Sequence, residues 1–173
     1  MQRHTVAETV DLAAELQRLV HETVKPPSET AASHEEPVIY MSLVHNTRSY
    51  IIKTAHQANG SYQHGWYDAC AVMVRRLVET LIIEVYERHK IESNIKDPHG
   101  NYLFLRDLVD KVLAETAWTL GRNVRSVLPK LKDVGDKAAH NRRFNAIRQD
   151  IDKLIPHLRE TVQELVALAD LKR

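Results

Sequence analysis

The chain has 173 residues, 43% of them apolar and 27% charged, the proportions of an ordinary globular domain and not of a disordered or membrane-spanning chain. At this length about 70% of the unfolded surface can be buried in one core. Twenty-four basic residues stand against 23 acidic ones, a net charge of +1, so no global attraction draws the protein to nucleic acid or to an anionic membrane, and any polyanion site has to be local.

Only five glycines and repeated i, i+3, i+4 apolar spacing predict helices throughout. The expected fold is all-α, an antiparallel helical bundle with a four-helix core and an extra N-terminal helix. That first helix is expected from about Thr5 to Val24, where Val6, Val10, Ala13, Leu16, Val20 and Val24 share one stripe and Glu8, Glu15 and Arg18 lie off it. Pro26 and Pro27 end it. The polar stretch "KPPSETAASHEEP" reads as a linker, which divides the chain into an N-terminal arm at 1–25, a linker at 26–37 and a compact domain at 38–173. The arm is a candidate docking element for a partner protein.

A second helix is expected from about Leu43 to Ala58, stopping at "NGSYQHG", whose Asn-Gly and second Gly are turn formers. A strand is the alternative for "VIYMSLV". The third helix, about Tyr67 to His89, carries apolar residues at 69, 73, 77, 81, 85 and at 70, 74, 78, 82, two adjacent rows that place it in the middle of the bundle. "ESNIKDPHGN" reads as a loop. "YLFLRDLVDKVLAE" then restarts a short amphipathic helix with Leu105, Leu108, Val109 and Val112 inward. A fifth helix spans about Leu120 to His140, with a break possible at Pro129. The last runs from about Ala146 to Leu171, with Ile147, Ile151, Leu154, Leu158, Val162, Leu165 and Leu168 toward the core and a kink at Pro156. Burying such a stripe contributes about 1.5 to 3 kcal/mol per large side chain, more than the interior-proline penalty of about 3 kcal/mol.

Cys70 stands alone in the apolar run "ACAVMVRRLVETLIIEVY", which reads as a core position, excludes an intramolecular disulfide and makes a reducing, cytoplasmic setting the expectation. The N-terminal "MQRHTVAETVDLAAEL" lacks the continuous apolar core of a signal peptide, and no stretch approaches the roughly 18 unbroken apolar residues of a membrane span. The ten histidines are scattered singly and none forms a His-x3-His pair, so neither a metal nor a cofactor is expected. There is no phosphate-cradling glycine loop, no Gly-x-Ser-x-Gly elbow and no His-Glu-x-x-His pair. In "VRRLVET", Arg75 and Arg76 precede Glu79 at ion-pair spacing. Trp66, Tyr67 and Trp118 read as core anchors rather than base-stacking platforms.

The segment richest in chemistry is "KLKDVGDKAAHNRRF", residues 130 to 144. On a helix, Leu128, Leu131, Gly135, Ala138 and Ala139 share one side, and Lys132, Asp136 and His140 recur every four residues along another. Gly135, Ala138 and Ala139 have almost no side chain, so a neighbouring helix or a second subunit can approach closely there. Asp136, one turn before His140, would favour the imidazolium, as would the helix C-terminal dipole. Two readings stand side by side. In one, His140 ends a helix, with Asn141 adopting the left-handed conformation. In the other, His140 is a general acid or base, with Asp136 one turn away, and Lys132, Arg142 and Arg143 hold a phosphate while an RNA 2′-hydroxyl attacks it. The basic cluster "NRRFNAIR", with Arg142, Arg143 and Arg148, also supports phosphate binding without cleavage.

Two segments together resemble a known family. "YDACAVMVRRLVETLIIEVYE" is similar to the central helix, with its Arg-Arg-x-x-Glu, of a domain of unknown function often appended to restriction enzymes. "LKDVGDKAAHN" resembles that family's Gly-Asn-x-Ala-Ala-His signature. The resemblance covers about Asn46 to Leu171 and implies membership of the HEPN superfamily: a HEPN-like helical bundle, commonly homodimeric, found in toxins, phage defence and RNA processing. In active HEPN nucleases an Arg separated from a His by four to six intervening residues cleaves RNA with it, without metal, across the dimer. Position by position, the signature falls on Gly135, Asp136, Ala138, Ala139 and His140, with Asp136 in place of Asn. The window before His140 holds Asp133, Val134 and Gly135 instead of the nuclease Arg, and Lys132, the nearest cation upstream, lacks the forked guanidinium grip on phosphate.

The first functional expectation is therefore a non-catalytic HEPN-like assembly or binding domain, homodimeric and linked to prokaryotic defence or RNA-related processes. The alternatives are a metal-independent endoribonuclease using His140, and nucleotide or nucleic-acid binding without cleavage. The expected partners are a second copy, RNA or a nucleotide, and a protein at the N-terminal arm, with no membrane.

Overall fold

The computed structural model describes residues 11, 13–16, 18 and 36–172. By its contacts the chain divides into two units, Met1–Glu35 and Glu36–Arg173, a boundary that falls inside the stretch read as a linker. In the first unit the described residues are helical and exposed, Leu16 of the expected apolar stripe among them. The rest of the helix expected over 5–24, and the linker up to residue 35, lie outside the described residues.

The second unit contains α1 (Met41–Val44), α2 (Ser49–Gln63), α3 (Tyr67–Arg88), a 3-10 turn (Glu92–Ile95), α4 (Leu105–Ala114), α5 (Arg122–His140), α6 (Arg148–Asp152) and α7 (Ile155–Leu168). It is an all-α helical bundle, and among the described residues the single piece of β pairing is a bridge between Lys96 and Tyr102. Helix α3 explains the arrangement. Cys70, Val74, Leu77, Val78, Leu81, Ile82 and Val85 are all buried, and a helix with so wide an apolar face has to be enclosed. It packs against α2, α4, α5, α6 and α7. Three polar contacts give the directions: Arg48 before α2 reaches Glu84 near the end of α3, Arg88 at the end of α3 pairs with Asp170 just beyond α7, and Gly121 before α5 donates to Glu164 in α7. So α2 and α5 run opposite to α3 and α7, an up-down-up-down bundle. No helix among the described residues is long and apolar enough to cross a membrane.

Several boundaries differ from the sequence reading. The helix expected over 43–58 begins at Ser49 and runs through Asn59-Gly60 to Gln63, and "VIYMSLV" is no strand. The reason is Asn59. Its buried amide accepts from Ile39 N (2.9 Å) and donates to Ile39 O (2.8 Å), so a helical side chain saturates the backbone of residue 39 as a neighbouring strand would have done. Asn46, at φ 63, separates α1 from α2. The last helix is two helices and not one kinked one. The α6 helix stops at Asp152, and Pro156 sits in the first turn of α7, where its missing N–H would have no helical acceptor in any case. Ile147, expected in the core, is 55% exposed because it precedes α6 as its N-cap. At Pro129, by contrast, α5 continues unbroken. Pro129 and Arg125, whose carbonyl loses its usual donor, lie on the same turn, and Arg125 is exposed, so water can complete that bond.

The loop at 92–101 is ordered by Asp97. One carboxylate oxygen accepts the N–H groups of His99 (2.8 Å) and Asn101 (2.9 Å), and the Asn101 bond above all holds this carboxyl below the usual aspartate range. Trp118 is a core anchor, set edge-on to Tyr86 at 5.0 Å, and Tyr67 is half-buried. Trp66 is not: it is 64% exposed and rests against His64.

Candidate functional site

The two segments that carry the family resemblance meet where α3 crosses α5. Gly135 is buried there, and a Cβ added to it would fall 2.6 Å from Arg75 Cβ. Only hydrogen fits. The Arg75 stem therefore lies across the glycine, and its guanidinium reaches Asp136 next in sequence: Nε donates to Asp136 Oδ1 at 2.8 Å, while Nη1 is 3.5 Å from Glu79 Oε2. The Arg75–Glu79 pair expected from "VRRLVET" is thus present as the weaker of the two contacts of Arg75.

Lys132 completes the cluster. Its Nζ is 2.9 Å from Asp133 Oδ1 and 3.7 Å from Asp136 Oδ2, and the hydrogen bond to Asp133, opposed by partial burial, raises the lysine above its ordinary range. The five groups Arg75, Glu79, Lys132, Asp133 and Asp136 carry two positive and three negative charges. A site with that balance repels phosphate. Pairs this exposed contribute about 0 to 1 kcal/mol each, so the network matters more for where it holds the side chains than for stability.

His140 is outside this network. It is the exposed last residue of α5 and has no hydrogen-bond partner among the described residues. Asp136, read from spacing as its charge partner, faces Arg75 and Lys132. Lys132 is eight residues back, about 12 Å along the axis. Asn141 does not adopt the left-handed conformation; it is extended, at φ −92 and ψ 108. It ends the helix through its side chain, whose Oδ1 accepts Arg143 N at 3.0 Å. Beyond it Arg142 and Arg143 are exposed, with no carboxylate partner among the described residues. Ala146 N then donates to Asp68 Oδ1 at 2.7 Å and ties the segment to the start of α3.

Arg148 points elsewhere. It pairs with Asp152 at 3.4 Å and lies 5.7 Å from the centre of the Tyr62 ring. The Tyr62 hydroxyl also donates to Asp152, and burial first, then that bond, pushes Tyr62 up to about 12. Of the residues expected to make close contacts, Gly135 is used inside the chain, Ala138 is half-buried against the core and Ala139 is exposed. Among the described residues no three of His, Cys, Asp and Glu are gathered as a metal ion needs.

No family model, no curated protein and no solved structure matches the chain.

One signal is stronger than spacing alone suggests. Residues 122–148 hold eight basic and two acidic residues, leaving 16 basic and 21 acidic in the rest of the chain. A protein of net charge near zero is thus divided into a basic segment of +6 and a remainder of −5. Of the eight cations, Lys132 and Arg148 are occupied by carboxylates, while Arg122, Lys130, Lys137, Arg142 and Arg143 are exposed.

Proposed function

We propose that the chain is a non-catalytic, HEPN-like helical binding domain that holds RNA by its phosphates on the exposed cations at the end of α5 and in the turn after it, Lys137, Arg142 and Arg143. The observation that carries this reading is the Arg75–Asp136–Lys132 network. It engages two of the three groups that acid–base cleavage would need and leaves the third, His140, with neither a base nor an orienting partner. The exposed cations of 122–143 keep the capacity to attract a polyanion locally. The family resemblance supports the same reading in its degenerate form, since the nuclease Arg is missing.

Binding is tested by fluorescence anisotropy of a labelled single-stranded RNA against salt. Affinity falls steeply with salt, and Arg142→Ala with Arg143→Ala flattens the logarithmic slope by about 0.7 for each phosphate that is no longer neutralised. No binding at low salt, or an unchanged slope in the double variant, rejects the proposal.

We also propose that two copies pair at the end of the bundle where Ala139, Ile147 and Trp66 stand open to solvent. Light scattering after size exclusion then gives a dimer for the parent and a monomer for Ile147→Glu. A parent that runs as a monomer contradicts this arrangement.

A further inference from the structure

At the other end of α3 from His140 lies a cleft of about 840 Å³, lined by residues at the start of α2, the end of α3 and the stretch after α7. Asp68 and Glu84 mark the two ends and are 16 residues apart, about 24 Å along the helix. The volume is within the range of small-molecule sites. Its floor is Glu84, the one charged residue in the core among those described, 4% exposed. The carboxylate accepts Arg48 Nε at 2.9 Å and the Tyr50 hydroxyl, so both side chains are held in place by a group that cannot be left unpaired.

Each carboxylate of the cleft already has its donor: Glu84 has Arg48 and Tyr50, Asp170 has Arg88 at 2.9 Å, and Glu87 has the Tyr102 hydroxyl. Among the charged side chains the surplus is of donors. The two terminal nitrogens of Arg48 have no acceptor among the described residues, Lys90 has no ion-pair partner there, and the one bond of Lys172 is to the Ser42 carbonyl. The first turn of α2 has no side-chain cap and faces the same space. Asn46, Lys90 and Asp170, the three non-glycine residues with positive φ among the described residues, all line it. Lys90, at φ 59 just after α3, occupies the position that glycine fills most readily. Tyr50, 47% exposed, adds a flat ring beside the donors.

We infer that this cleft binds a phosphate monoester of nucleotide size: the phosphate between Arg48, Lys90 and the start of α2, the remainder against Tyr50. The site is independent of the RNA surface at 137–143. Thermal melting and isothermal titration are run with AMP, ribose 5-phosphate, inorganic phosphate and adenosine. AMP and ribose 5-phosphate raise the melting temperature and adenosine does not. Lys90→Gly melts higher than the parent without ligand, because the left-handed residue is relieved, yet binds AMP about tenfold more weakly or worse. Lys90→Asn, which also tolerates positive φ, loses AMP in the same way. The double variant at Arg142 and Arg143 binds AMP like the parent. Binding of adenosine as tight as that of AMP, no response to any of the phosphates, or parental affinity in Lys90→Gly overturns the assignment.

Discussion

Gly135→Ala and Gly60→Ala are the same change in two helices and are expected to act in opposite directions. A methyl group at 135 falls 2.6 Å from Arg75 Cβ, 3.0 Å from its Cδ and 3.1 Å from its Cγ. The nearest of these is fixed to the backbone of α3, so the helices have to part by much of an ångström to reach an ordinary carbon contact of about 3.5 to 4.0 Å. Overpacking of that kind costs up to about 3 kcal/mol, and the better helix propensity of alanine offsets about 1. The net loss is about 2 kcal/mol, which lowers Tm by about 4 to 8 °C for a chain of this size. A methyl group at 60 meets nothing within 4 Å. There the propensity gain stands alone, at about 1 kcal/mol or 2 to 4 °C upward. Both are read by differential scanning calorimetry on the purified full chain. If Gly135→Ala melts as high as Gly60→Ala, α3 and α5 do not cross at the glycine and the Arg75–Asp136 contact does not form as described.

Asn59→Ala removes both partners of the Ile39 backbone and is expected to cost about 2 to 4 kcal/mol in urea unfolding, since two buried polar groups are left unpaired; a loss below about 1 kcal/mol would mean that water replaces the amide. Cys70 is fully buried, and burial pushes its thiol up to about 12, so at pH 8 the native protein reacts with iodoacetamide far more slowly than the urea-unfolded chain, and equal rates refute the packing. Asp136→Asn frees Arg75 and Lys132 from a shared carboxylate, changes stability by about 1 kcal/mol or less and tightens RNA binding at low salt; weaker binding places the RNA elsewhere. The folded pKa of Asp97 is depressed, so its contribution is complete above the unfolded value and is lost as pH falls through the lower folded one. Carboxyl chemical shifts from NMR check this, and a midpoint at or above the ordinary aspartate value contradicts it.

The positions that sequence periodicity locates best are those where burial alone decides. The two apolar rows of α3 and the stripe Leu105, Leu108, Val109 and Val112 of α4 are buried largely as their spacing implies, because a helix has no other way to hide such faces. Boundaries are harder to place where a tertiary contact overrides a local preference. Asn59-Gly60 is a turn signal by composition, yet the Asn amide is consumed by Ile39, and the helix continues past it. Pro156 is legible as a disturbance but not as a beginning, since nothing local shows that α6 ends at Asp152 and that a new helix starts at Ile155. In the candidate site the helical register of Lys132, Asp136 and His140 can be read directly. The partner of Asp136 cannot, because Arg75 is 61 positions away and reaches it through the fold. Two signals are present without the structure: a charge count in windows finds the basic segment 122–148, and a carboxylate inside "LIIEVY" marks Glu84 as a buried acid in need of partners.

The most direct test of the central claim is incubation of single-stranded RNA with excess protein in chelator, with the parent, His140→Ala and Asp136→Asn compared on a sequencing gel and by mobility shift. A non-catalytic binding domain retards the RNA in all three cases and leaves its length unchanged. Cleavage by the parent that disappears in His140→Ala would show that His140 is a working group after all, and would contradict the idle role that the Arg75–Asp136–Lys132 network leaves to it.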